Sequence, residues 1–196
     1  MFNNKLVLHD AANVTNKSSD LPTPSLVVKS LLEAEKAKKG EENYSLSDLI
    51  GEWNLRFVTG TKKTRKKAGI VLGAGKYIPQ LVKIKIEYEG DRETLNTGRV
   101  RNSVSLAFLN LSLTGPMKLI KNNILAFDFT TMTFSVFGWK VYDGYIRNGA
   151  TKEAQFYHKK IPQQVFFHYF LIEKNLIAAR GKGGGLALWS RENNVQ

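Results

Sequence analysis

Val82-Lys83-Ile84-Lys85-Ile86-Glu87-Tyr88-Glu89 alternates apolar and charged residues without a break, and Trp53-Asn54-Leu55-Arg56-Phe57 does the same earlier in the chain. A helix would scatter these apolar residues around its axis, whereas a strand puts every second one on a single face. Working outward, Val104, Leu106 and Phe108 keep the twofold period, after which Leu109, Leu111 and Leu113 come into step. That slip of phase predicts a bulge or a sharp bend. Further strands are expected at 117–121, 124–130, 132–138, 139–146, 153–159, 165–173, 175–180 and 186–191. Turn signals separate most of them, among them Gly90-Asp91, Gly115-Pro116, Asn122-Asn123, Asn148-Gly149 and the run Gly181 to Gly185. Many short strands joined by hairpins predict a mainly β fold, an antiparallel barrel or sandwich.

Upstream the period is helical. Pro24 opens a stretch with Leu26, Val27, Leu31 and Leu32 that Thr23 can cap and Gly40 can end. A short helical turn follows at Ser45-Leu46-Ser47-Asp48, a capping box with Asp in place of Glu. Residues 1–22 are rich in Asn, Ser, Thr and Asp and are expected as a loosely ordered extension, with Leu6-Val7-Leu8 as a docking patch. The barrel domain with its helical preface then spans 23–192, and 193–196 form a tail.

The chain has 196 residues, and its 29 Lys and Arg against 17 Asp and Glu give a net charge of +12. That surplus favours polyanionic company, whether nucleic acid, anionic headgroups or acidic proteins. There is no cysteine, which excludes disulfide scaffolds, thiolate metal sites and cysteine nucleophiles. The longest apolar run, near Val165 to Ile172, is far short of the ~20 residues of a membrane-spanning helix. The three histidines, His9, His158 and His168, are scattered, and no carboxylate pair or Gly-x-Ser-x-Gly elbow is present. Gly69 to Tyr77 misses the phosphate-loop spacing and lacks its Ser or Thr. The expectation is a protein that is not an enzyme and uses no cofactor and no metal.

Two features remain. Of the 21 aromatic residues, 14 lie between Phe127 and Trp189, enough to fill a core or to line a barrel that keeps a cavity for an apolar ligand. In the second case the lining is expected from Trp53, Leu55, Phe57, Ile84, Ile86, Leu106, Phe108, Phe127, Phe129, Phe167 and Tyr169. Lys62-Lys63-Thr64-Arg65-Lys66-Lys67 packs five cations into six residues, a solvated loop or a footprint for phosphates and headgroups.

Leu49-Ile50-Gly51-Glu52-Trp53-Asn54-Leu55-Arg56-Phe57-Val58-Thr59 resembles the first-strand motif of the plastid lipid-associated protein/fibrillin family. Glu173 to Leu186, with Arg180-Gly181 and the glycine turn, resembles the closing signature of that family. The resemblance implies a lipocalin-like barrel at photosynthetic membranes or lipid globules, peripheral to the thylakoid in a cyanobacterial cytoplasm or within a plastid. It also implies a lipophilic ligand such as a fatty acid, a quinone, a carotenoid or another pigment. Phycobiliprotein chromophore lyases share that barrel and stay open as an alternative, as does a basic nucleic-acid-binding module. If the last strand pairs with the first, Arg191 is expected over the Trp53 indole at one end. Lys62, Lys63, Arg65, Lys66, Lys67, Arg180 and Lys182 then share the opposite rim as an anionic-membrane contact, with Gly69 to Pro79 as a flap beside it.

Overall fold

A computed structural model describes residues 4–13, 20–37, 44–60, 75–120 and 123–191. Its strands are β1 (Gly51–Val58), β2 (Lys76–Tyr77), β3 (Val82–Gly90), β4 (Thr97–Leu106), β5 (Leu109–Ile120), β6 (Ile124–Phe127), β7 (Thr131–Val136), β8 (Trp139–Tyr145), β9 (Val165–Glu173), β10 (Leu176–Gly181) and β11 (Leu186–Ser190). Eight of them close into an antiparallel barrel in the order β1, β3, β4, β5, β6, β9, β10, β11. The last strand pairs with the first, Leu55 opposite Trp189 and Asn54 opposite Ser190. Among the described residues four helices accompany the sheet: α1 (Asn4–Ala12), α2 (Pro24–Ala37), α3 (Leu46–Leu49) and α4 (Gly149–Gln155). A lipocalin-like barrel behind N-terminal helices is thus the architecture of the chain.

The floor of the barrel is built first along the chain. Ser45 caps α3, its Oγ accepting from the Ser47 amide while its own amide donates to Asp48. The capped turn carries Leu46 and Leu49 into the barrel end, and the Trp53 indole donates to the Leu49 carbonyl at 2.7 Å. From the last strand Arg191 returns over Trp53 at 4.1 Å and donates to the Ile50 carbonyl at 2.8 Å. Gly51, at φ +110°, turns the chain between α3 and β1 where a Cβ would stand 3.1 Å from that guanidinium. Trp53, Tyr88, Met117, Leu125, Tyr169 and Ile177 complete this floor with no exposed surface.

A second core lies outside the barrel. α1 and α2 cover the outer face of β9, β10 and β11, where Val7, Leu8, Ala11, Val27 and Leu31 meet Phe170, Leu176, Ala178 and Leu188. The segment expected to be a loose extension therefore contains a docked helix. Its signal is faint because two of its four buried residues are alanines, Ala11 and Ala12. Leu6 faces solvent, while its neighbours Val7 and Leu8 dock.

Three further expectations change. The phase slip near Phe108 is a hairpin whose turn is Ala107 and Phe108, closed by the pair Leu106 and Leu109. The stretch 153–159 is not a strand: α4 runs to Gln155 and a 3-10 turn follows at Phe156–His158. Good helix formers fill that segment, and Phe156 alone is buried to anchor it. Finally, β1 bulges between Leu55 and Phe57, which turns Phe57 out of the barrel against Tyr77, ring centroids 5.1 Å apart.

β5 is the branch point of the sheet. One edge pairs with β4 over its length, while the other pairs with β6 near its end and with β7 near its start. Between β6 and β7, residues 128–130 step out of the barrel, so β7 and β8 extend the sheet beyond the closed ring. Gly115 marks the step, since a Cβ there would stand 2.0 Å from the Asp128 carbonyl oxygen. Gly115→Ala is expected to cost ~1–3 kcal/mol, the range for forcing a methyl into a packed site, read as a lowered urea midpoint. Arg191→Ala should cost ~0.5–2 kcal/mol and alter emission from Trp53; an unchanged midpoint and spectrum would remove the guanidinium from the floor.

Candidate functional site

Above the packed floor the barrel opens. β1 and β3 pair only between Gly51 to Asn54 and Lys85 to Tyr88. Farther along, β2 takes the freed edge of β1, Phe57 opposite Tyr77 and Val58 opposite Lys76. The start of β3 leans away from β1, and a cavity of about 250 Å³ lies at the mouth. Leu55, Ile84, Ile86, Phe167, Ala187 and Trp189 form its apolar lining, with Asn102, Val58, Thr59 and the Gly181–Leu186 turn at its edge. Leu55 and Ile84 also line an outer cleft of about 440 Å³ at Asn54, Arg56, Gln80 and Lys83. Among the described residues, the cavity and the cleft adjoin at Leu55 and Ile84, where β1 and β3 part. The outer cleft mixes Asn54, Arg56, Gln80 and Lys83 with apolar side chains, whereas the inner cavity is mainly apolar, the character of a site for a lipophilic group.

The inner face continues beyond the ring. Residues opposite one another in the ladder share a face, so Ile84, Val104, Leu111 and Phe134 form one apolar row across β3, β4, β5 and β7. Val82, Leu106, Leu109, Val136 and Trp139 form the row above it. The opposite face carries Lys83, Ser105, Asn110 and Ser135. Below the first row, Asn102 stands between Ile86 and Leu113, the one amide on this wall of the cavity. Its side-chain oxygen is buried and accepts no hydrogen bond among the described residues.

The expected lining thus divides. Leu55, Ile84, Ile86 and Phe167 face the cavity. Trp53, Phe127 and Tyr169 are buried in the packed floor, with Phe129 against it. Phe57 lies outside under the bulge, and Leu106 and Phe108 sit exposed at a hairpin tip. Trp189, Ala187 and Asn102 were missed. The first two are in step on the last strand, a signal that a closed barrel would have turned inward.

The expected cationic rim also changes. Ile177 and Ala179 take the inner positions of β10, so Arg180 points outward to α2 and holds Glu35 through two hydrogen bonds of 2.5 and 2.6 Å. That carboxylate raises the Arg180 pKa further. Lys182 donates to the carbonyls of Pro162 and Gln164 at 2.6 and 2.9 Å. Both cations hold the structure together. Lys62, Lys63, Arg65, Lys66 and Lys67 lie outside the described residues, as does most of the expected flap from Gly69 to Pro79.

No set of three His, Asp or Glu able to hold a metal occurs among the described residues, and no described helix is long and apolar enough to cross a membrane. Neither protein-family models nor curated proteins give a match to this chain.

One polar pair stands in the floor. The hydroxyls of Tyr88 and Tyr169 meet at 2.5 Å, both side chains fully buried. Burial raises both phenols well above the ordinary value near 10. A raised pKa leaves stability intact below pH ~10 and removes it as pH climbs toward the folded values. Thermal unfolding should therefore be flat through neutral pH and fall above pH ~10. Tyr88→Phe strands the Tyr169 hydroxyl and should cost ~1–3 kcal/mol, with Tyr169→Phe added on top restoring part of that loss.

Proposed function

We propose that this protein is a non-enzymatic carrier that holds the apolar part of a lipophilic molecule in the barrel mouth, at a photosynthetic membrane or lipid globule. The observation that carries the reading is the cavity above a sealed floor, apolar on its walls and lying where β1 and β3 part. Its 250 Å³ is just under the ~300 Å³ at the small end of ligand sites. The cavity takes one chain end or ring. The remainder of a fatty acid, quinone or carotenoid would lie along the apolar rows of β4, β5 and β7. The likeness of the first and last strands to the plastid lipid-associated protein/fibrillin family supports the same reading. Asn102 then supplies a hydrogen-bonding group for a hydroxyl, carbonyl or carboxyl on the ligand.

Titration with a quinone, followed by quenching of Trp189, tests this. A Trp139→Phe background removes the exposed indole. Saturable quenching is expected, and Ala187→Phe, which fills the cavity, should abolish it. Asn102→Leu should raise the stability of the free protein by ~1 kcal/mol or more, because it removes an unpaired buried oxygen, while weakening ligands that carry a polar head. Tight polynucleotide binding that falls steeply with salt, with no quinone or fatty-acid uptake, would reject this reading in favour of a nucleic-acid module.

A further inference from the structure

We infer that the two hairpin tips beside the mouth form a wedge that enters an anionic lipid bilayer, and that apolar insertion rather than a cationic rim makes the lasting membrane contact. The tips are Ala107-Phe108, between β4 and β5, and Phe137-Gly138, between β7 and β8. They are tied together: the Phe137 amide donates to the Phe108 carbonyl at 2.9 Å, and the two rings stack with centroids 4.4 Å apart. Four large exposed side chains belong to these two hairpins, Phe137 at 71%, Trp139 at 80%, Val141 at 64% and Phe108 at 50%, whereas Leu81 and Leu95 stand exposed at other turns. Single exposed apolar residues are ordinary, but a joined group of aromatic tips is not.

The turn chemistry points the same way. Tight hairpin turns favour Gly, Asn or Asp at positions of positive φ. Here Ala107 and Phe137 hold those positions, each at φ 49°. Phe137 is thus a bulky side chain held in the left-handed region, where a small polar residue would be soluble and less strained.

Charge selects the occupant. From 102 to 114 and from 131 to 145 the only carboxylate is Asp143, and Lys140 at 2.9 Å and the Thr133 hydroxyl at 2.8 Å hold it. The tips therefore carry no uncompensated negative charge toward an anionic surface, while the chain as a whole is drawn there by +12. Aromatic side chains at protruding tips suit the depth of the headgroup boundary. A second copy paired through the free edge of β8 is the competing occupant; the bulge between Phe134 and Ser135 in the β7–β8 ladder makes that edge irregular.

The inference rests on the proposed carrier only for where a ligand would pass; the contact itself needs no ligand, so each can fail alone. Trp53 and Trp189 are buried at 0% and 4%, which leaves Trp139 as the solvent-exposed indole. With vesicles of equal parts phosphatidylglycerol and phosphatidylcholine, emission should shift blue and be quenched by brominated acyl chains in the native protein. Once formed, that state should survive high salt, which screens surface attraction. Phe137→Asp should weaken partitioning on the order of 100-fold, with far-UV circular dichroism unchanged. No shift and no bromolipid quenching would overturn the wedge, and so would binding that high salt abolishes. A blue shift that grows with protein concentration in the absence of vesicles, with a dimer in sedimentation, would assign the tips to a second copy instead.

Discussion

Closure of the sheet between β1 and β11 is the constraint on which the rest of the molecule depends. Pairing Leu55 with Trp189 brings Arg191 to the Trp53 indole and the Ile50 carbonyl, so the last strand seals the end that α3 plugs. Inward-facing residues then share a narrow space, and the large ones fill it: Trp53, Tyr88, Met117 and Tyr169 leave no room at the floor. The space that survives lies where ladder pairing fails. β1 leaves β3 after Asn54 and turns to β2, and the interior stays open above that point. The location of the mouth is thus a consequence of register rather than of any one side chain.

The branch at β5 decides the shape above the mouth. A strand that serves β6 and β7 in succession must release the chain between them, and Gly115 permits the close approach this requires. The released hairpin continues the inner face of the barrel as an apolar wall with a polar back. Such a face is partly exposed at a cost in free energy that a monomeric soluble protein usually avoids. Its continuity with the cavity lets one apolar path run from the mouth to the hairpin tips. The proposed carrier site and the proposed wedge would therefore be two ends of one surface.

Net charge gives a poor guide to where the positive charges act. Arg180 holds Glu35 across to α2, Lys182 holds the backbone at Pro162 and Gln164, and Arg99 and Arg101 are paired with Glu153 and Glu87. Each of these bonds uses a cation to position an element, and the +12 surplus acts through the field of the whole chain. The exposed apolar tips, which composition hides, are the more specific feature.

The twofold alternation from Gly51, the turn signals and the Ser45 capping box determined most strands, the short helix and the antiparallel class, because these are local rules of backbone geometry. On the condition that the sheet closes, which the pattern left open against a sandwich, they also put the last strand beside the first and Arg191 over Trp53, as the structure has them. What only the tertiary structure decided is which face each residue occupies. A one-residue bulge after Leu55 sends Phe57 outward, and a two-residue turn at Ala107-Phe108 looks, in sequence, like a slip of phase. Helix and a 3-10 turn occupy 153–158, where Phe156 alone of the segment is buried. Trp189 and Asn102 entered the cavity because strands far apart in sequence closed around them. Side-chain direction in a sheet has a period of two, so one inserted residue reverses it, and long-range pairing alone fixes where such insertions are absorbed.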